Sequence, residues 1–248
     1  MIGIFGGTFD PIHNGHVNII EDLLSLVELD ELIIIPNGNP PHKKKRIEES
    51  LKLAMTKMAL EHIPGVIIDS RELNKKEPSY AYETLLDLKK EHPQDELLWI
   101  MGSDSFLDIE SWYSYKKFIK EVNILVLQRP NYFLNKKNGL TDPITERSNF
   151  TKKDFSNGPN QVYLLKIKPI EITSTHIRQM IYSDKDVASF IDPSVNAFIK
   201  ENNVSGIRIE GQGGDEWLLV DAGDVIIHLM SSDAREFYDL ESLWDPEL

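Results

Sequence analysis

A short apolar run, Met1 to Phe5, leads into Gly6-Gly7-Thr8-Phe9-Asp10-Pro11-Ile12-His13-Asn14-Gly15-His16. A segment follows in which Val17, Ile20, Leu23, Leu24 and Val27 recur on one helical face. This order of strand, glycine turn and amphipathic helix constrains the fold more than any other feature of the chain. In an open α/β sheet such a turn lies at the carboxyl edge of the strands, where ligands bind. Glycine has no Cβ, so backbone N–H groups at Gly6 and Gly7 can approach a ligand closely. The helix start adds N–H donors and the positive end of the helix dipole, and together these suit an anion.

His13 and His16 stand three residues apart at that helix start, so both can face one anion. Imidazole N–H groups donate to phosphate oxygens without a deprotonation step. Two other readings stay open at this point. One is a glycine turn with two surface histidines, and the other is a zinc pair. The zinc reading lacks the Glu of a zincin-type site, and the chain has no cysteine to complete a closed site. The string is neither a Walker A loop, since no Gly-Lys-Ser/Thr follows, nor Gly-x-Gly-x-x-Gly.

Gly-Gly-Thr-Phe-Asp-Pro-x-His-x-Gly-His closely resembles the signature of the nucleotidylyl transferases. Within them it looks like the bacterial nicotinate-nucleotide adenylyltransferases of NAD biosynthesis. The resemblance implies that Gly6, Gly7, Thr8, Phe9 and His16 bind ATP, with its phosphates on this loop.

Strand-like runs recur at Leu32 to Ile35, Val66 to Ile68, Leu97 to Met101, Ile124 to Leu127 and Val162 to Ile167, with helix-like stretches between most of them. Such alternation predicts α/β architecture: a Rossmann-like, doubly wound parallel sheet with helices on both faces. Residues 131–160 are polar and rich in Asn, Lys, Gly and Pro, and read as an irregular surface segment.

Further motifs extend the resemblance in family order. Pro40-Pro41-His42-Lys43 is similar to the loop that faces the substrate phosphates, which implies substrate contacts by His42 and Lys43; Lys44 to Arg46 read equally as a solvated basic face. Ser70-Arg71-Glu72-Leu73 also matches, and a structural ion pair explains it equally well. Ser79 is the expected N-cap of a helix opening Pro78-Ser79-Tyr80-Ala81-Tyr82-Glu83-Thr84. The resemblance puts Tyr80, Ala81 and Thr84 against the nicotinate carboxylate through backbone amides; Ala81 stands where the family usually has Thr. Gly102 and Asp104 match a Gly-x-Asp near the ATP ribose; a helix cap by Asp104 or Ser105 is the alternative. Trp112 is assigned to stacking on the pyridinium, and Arg129 matches an Arg-Pro after the fifth strand. Last comes Ile172-Thr173-Ser174-Thr175-His176-Ile177-Arg178, which resembles the family's second phosphate motif. It implies ATP contacts by Thr175 and Arg178, with His176 facing solvent.

The implied reaction joins ATP and nicotinate mononucleotide. Its nucleophile is already an anionic phosphate, so no general base is needed. His13, His16, Lys43 and Arg178 are the expected catalytic groups, and Mg²⁺ is the expected cofactor, bridging the triphosphate with no protein metal site required. Another phosphate acceptor, such as nicotinamide mononucleotide, is the alternative.

Charge separates the chain into two parts. Residues 207–248 hold 2 basic and 11 acidic residues, a net −9, whereas the other 206 hold 25 and 29, a net −4. The polar stretch Asn202 to Gly206 suits a linker, so a transferase domain is expected over residues 1–204 and a tail over 205–248. The tail resembles the C-terminal part of the ribosome silencing factor (Iojap-like) family, without that family's N-terminal half. A hairpin from Trp217 to Met230 and a helix running from Ser231 to Trp244 are expected there. Such a tail either packs on the first domain, self-associates or stays poorly ordered, and ribosome binding through it is an alternative function. The overall charge of −13 argues against direct nucleic-acid binding. No run is long enough to span a membrane, so a cytoplasmic protein is expected, with a homo-oligomer left open.

Overall fold

The computed structural model describes residues 1–38, 48–75, 77–128, 145–156, 158–167, 172–183, 185–202, 208–210, 216–221 and 226–240. In chain order the first part comprises Ile2–Gly7 (β1), Asn14–Leu26 (α1), Glu31–Pro36 (β2), Glu49–Leu60 (α2), Val66–Ile68 (β3), Ala81–Glu91 (α3), Leu97–Gly102 (β4) and Ser103–Leu107 (α4). It continues with Tyr115–Glu121 (α5), Asn123–Leu127 (β5), Thr145–Arg147 (β6), Val162–Leu165 (β7), Ser174–Tyr182 (α6) and Pro193–Glu201 (α7).

The seven strands form one sheet in the order β3-β2-β1-β4-β5-β7-β6. Every pairing in it is parallel, including Phe5 opposite Ile34 on one side and Ile100 on the other. The chain winds outward from β1 through β2 and β3, then returns to β4 on the opposite side of β1 and winds the other way. The doubly wound expectation holds, and the reversal between β1 and β4 opens a crevice at their carboxyl ends.

Alternation along the strands sends side chains to both faces. Phe5, Leu32, Ile34, Leu98 and Ile100 pack with Ile20 and Leu23 of α1, Met55 and Leu60 of α2, Ile177 of α6 and Val195 of α7. Ile2, Ile4, Ile33, Ile35, Trp99 and Met101 pack with Leu85 and Leu88 of α3, Phe106 of α4 and Phe118 of α5. A strand buried on both faces reads as the continuous apolar runs noted above.

Residues 131–144 lie outside the described residues, and 145–156 depart from the expected irregular surface segment. Thr145–Arg147 is an edge strand of the sheet, and Phe150 and Phe155 are buried against Tyr163, with ring centroids 5.5 and 4.6 Å from it. Two phenylalanines spaced among polar residues show no period, which is why the segment read as surface. Ser79 is not the cap of α3; Tyr80 is, with extended backbone and no side-chain bond.

In the tail, Arg208–Glu210 (β8), Trp217–Asp221 (β9) and Ile226–Met230 (β10) form an antiparallel sheet in the order β10-β9-β8. The expected hairpin is β9–β10, whereas β8 is an addition: three residues are too few for a visible pattern. Ser231 caps Ser232–Tyr238 (α8), which stops at Asp239 in the left-handed region (φ 41°) instead of running on to Trp244. Among the described residues no helix is long and apolar enough to cross a membrane.

Candidate active site

The turn after β1 is built around Phe9. Its backbone is left-handed (φ 45°), and its ring is 1% exposed, edge-on to Phe5 and to His16 at centroid distances of 6.2 and 5.0 Å. A Cβ on Gly7 would come within 2.6 Å of that ring. The missing side chain at Gly7 therefore makes room for Phe9, which differs from the expected reason of close approach by a ligand. Gly6 is more open, its nearest neighbour being the Asn37 Oδ1 at 3.4 Å from a built Cβ. Phe9 can serve an ATP site only through its backbone.

His13 is the N-cap of α1 and buried; His16, one turn in, is half-buried. Their rings stack at 3.7 Å with 24° between planes. The His13 N–H donates to His16 Nδ1 at 3.3 Å. That bond makes Nδ1 an acceptor, so a neutral His16 carries its proton on Nε2. The helix start itself offers less than expected. The Asn14 N–H goes to the Phe190 carbonyl at 2.8 Å, and the His16 and Val17 N–H groups turn back to His13. Three of the amides at this helix start are therefore bonded within the protein.

The start of α6 packs onto this same turn. Thr173 caps it, accepting from the His176 N–H at 3.1 Å. Ser174 Oγ donates to the Pro11 carbonyl at 3.1 Å. Arg178 is buried; it donates to the Asp10 carbonyl at 2.5 Å and to Thr175 Oγ1 at 3.1 Å, and lies 3.8 Å from the Asp10 carboxylate. His176 is exposed, as expected. The two phosphate-type motifs, more than 160 residues apart, thus form one wall.

A second wall follows β2. The Asn37 N–H donates to the Gly7 carbonyl at 2.8 Å, and buried Lys52 donates from Nζ to the Asn37 carbonyl at 2.9 Å. Gly38 abuts Glu72 so closely that a Cβ would sit 1.9 Å from the Glu72 carbonyl oxygen. Thr84, in the first turn of α3, is fully buried and donates to Glu72 Oε1 at 2.8 Å. Its hydroxyl is thus engaged with Glu72, while Tyr80 and Ala81 are half-exposed at the helix start. Burial pushes the Glu72 carboxyl above its usual range, and the Thr84 bond pulls the other way. Arg71 pairs instead with Asp69 and Glu91, at 2.5 and 2.6 Å. His42 and Lys43 lie outside the described residues, as does Arg129.

Beyond β4, Gly102 caps α4, and Asp104 is half-buried in its first turn. The cap is Gly102 rather than a side chain of Asp104 or Ser105. Trp112 is half-buried and leans on Phe118, with centroids 5.8 Å apart. Its neighbour Tyr113 is 54% exposed and meets the Tyr80 ring at 4.7 Å. The corner after β4 thus touches the start of α3. Among the described residues no group of three or more His, Asp and Glu could hold a metal ion. Asp10, Tyr113 and Lys52 escaped the sequence reading as site residues. Asp10 carried a signal in its place inside the first motif, and Tyr113 in the aromatic run beside Trp112; Lys52 carried none.

Comparison with known proteins follows the same lines. The family described as cytidylyltransferase-like matches residues 4–180, and the family described as ribosomal silencing factor during starvation matches residues 182–247. A Clostridium perfringens protein named "Probable nicotinate-nucleotide adenylyltransferase" is 35% identical over 205 residues, 82% of this chain and 96% of its own length. A Pseudomonas entomophila protein of the same name is 31% identical, over 82% and 94%. Plasmodium falciparum nicotinic acid mononucleotide adenylyltransferase complexed with NaAD shares the fold, with a TM-score of 0.63 at 21% identity, over 82% of this chain and 96% of that one. With this match across most of its length, the chain belongs to the cytidylyltransferase-like family and, within it, to the nicotinate-nucleotide adenylyltransferases.

Proposed function

We propose that this protein transfers the adenylyl group of ATP to nicotinate mononucleotide, giving deamido-NAD and pyrophosphate. The observation that carries the reading is the union of two motifs at the crevice between β1 and β4: Arg178 and Ser174 of α6 hold the Asp10-Pro11 turn beside the His13–His16 stack. A phosphate oxygen of the mononucleotide attacks the α-phosphorus of ATP. The bond from that phosphorus to the bridging oxygen breaks, and pyrophosphate leaves with the electron pair. The nucleophile is already an anion, so the protein's part is alignment and offset of developing charge.

His13, His16, Thr175, Arg178 and Lys43 are assigned to the phosphates, with the Gly6 to Phe9 backbone beneath them. Gly102 and Asp104 are assigned to the ATP ribose. His42, Tyr80, Ala81, Trp112 and Arg129 are assigned to the mononucleotide, where Tyr80 and Ala81 act through backbone amides; Thr84, expected to join them, is buried with its hydroxyl on Glu72 and its N–H on the Tyr80 carbonyl, and so is not assigned to the substrate. ATP enters as its magnesium complex, with phosphate oxygens and water as the ion's ligands. Both substrates are small soluble nucleotides, and we place the enzyme in the cytoplasm.

Pyrophosphate release from MgATP with nicotinate mononucleotide tests the assignment, with nicotinamide mononucleotide in parallel. Faster release with the acid supports it; faster release with the amide moves the acceptor, and no release with either overturns it.

A further inference from the structure

Glu72 is a buried carboxylate that the proposed chemistry does not use. It sits where three segments meet at the carboxyl edge of the sheet. Its side chain accepts from Thr84 in the first turn of α3 at 2.8 Å. Its carbonyl lies against Gly38, with no room for even a methyl group between them. Ser79 Oγ, just ahead of α3, stands 3.5 Å from the same carbonyl. Gly38 in turn follows Asn37, whose N–H donates to the Gly7 carbonyl.

Taking a carboxylate out of water is costly, and nothing in the packing of a helix on a sheet requires one here. The cation nearest in sequence, Arg71, is committed to Asp69 and Glu91. Arg71 thereby ties the far end of α3 to the end of β3, while Glu72 ties its near end. A helix fixed at both ends holds its first-turn amides in one place. The Tyr80–Tyr113 contact then sets that turn against the corner after β4.

We propose that Glu72 is a positioning residue for the mononucleotide substrate: its carboxylate, bonded to Thr84, fixes the start of α3, whose amides face the substrate's carboxylate. The proposal rests on the adenylyl-transfer reading. It separates the two substrates, because the ATP wall is held by Arg178 and Asp10 and not by Glu72.

Steady-state kinetics on the full chain test it. Glu72→Ala and Thr84→Val each remove the bond from one side. Each is expected to raise KM for nicotinate mononucleotide about tenfold, the weight of one buried hydrogen bond, with KM for ATP within about twofold and kcat within about threefold. Glu72→Gln keeps an acceptor oxygen for Thr84 and is expected to restore most of the loss. Thr84→Val preserves shape, so it decides the matter if Glu72→Ala does not fold. Equal shifts in both KM values, no shift with Thr84→Val, or a Gln variant as impaired as the Ala variant overturns the role of Glu72 alone. A wild-type chain that releases no pyrophosphate with this acceptor overturns the reaction and the role together.

Discussion

The Arg178 guanidinium donates to the backbone carbonyl of Asp10 at 2.5 Å while standing 3.8 Å from its carboxylate. The shorter contact is to the carbonyl, so the main chain of the turn is what the arginine chiefly holds. Both side chains are buried. Arg178→Ala leaves a buried acceptor and a buried carboxylate without their cation, and is expected to cost about 3 kcal/mol of stability as well as most of the activity. Asp10→Asn keeps the carbonyl and is expected to cost less than about 1.5 kcal/mol. Urea unfolding of the two variants checks this; equal losses mean that the carboxylate, not the carbonyl, carries the contact.

His16 separates chemistry from stability. Its Nδ1 accepts from the His13 N–H, and the proposed function assigns its side chain to the phosphates. His16→Ala is expected to lower kcat about 10²- to 10³-fold, as loss of an oxyanion donor does. The same change removes a capping contact and costs only about 1 kcal/mol of stability. Parallel rates and thermal melts decide; a melting loss that accounts for the activity loss removes His16 from the chemistry.

Gly7 and Phe9 are expected to be coupled. Gly7→Ala puts a methyl group 2.6 Å from the Phe9 ring and should cost about 1–3 kcal/mol by overpacking. Phe9→Leu removes the obstructing ring edge, so the double variant should lose clearly less than the sum of the single losses. Strict additivity in a double-mutant cycle would show that the ring does not occupy the place of the missing side chain.

Asp30 predicts an acid-sensitive contact far from the site. The Lys152 ammonium, and then the amino terminus of Met1, hold its carboxyl at about 2, below the ordinary 3.8. A carboxyl depressed in the folded state stabilises fully above its unfolded value, and the contribution fades as pH falls from about 4 to 2. Stability of the wild type and of Asp30→Asn should therefore converge across that window. In a carboxylate NMR titration, Lys152→Ala should move the Asp30 midpoint up toward its ordinary value; an unmoved midpoint excludes Lys152 as the cause.

Much of this architecture is legible in the chain because its signals are local. Strands buried on both faces read as apolar runs, and Gly6 to His16 reads as a ligand turn from the residue types alone. What was illegible depends on distant partners. The sequence places Thr84 beside a substrate, while the fold turns its hydroxyl to Glu72, twelve residues earlier. Asn14 looks like a free helix-start donor until Phe190 is brought to it. Gly7 and Phe9 are near neighbours, yet their mutual requirement depends on a left-handed backbone angle at Phe9 that no composition rule announces. Phe150 and Phe155 find their pocket only after Tyr163 has been laid into the sheet.

The span of 168 residues between Asp10 and Arg178 has a consequence for the chain as it is made. At a translation rate of about 5–20 residues per second, the histidine turn is synthesised roughly 8 to 34 seconds before its arginine exists. During that interval the nascent protein carries the turn after β1 without the arginine that grips its main chain. Catalytic competence therefore arrives late in synthesis, with the closing helices, and not with the motif that announces it.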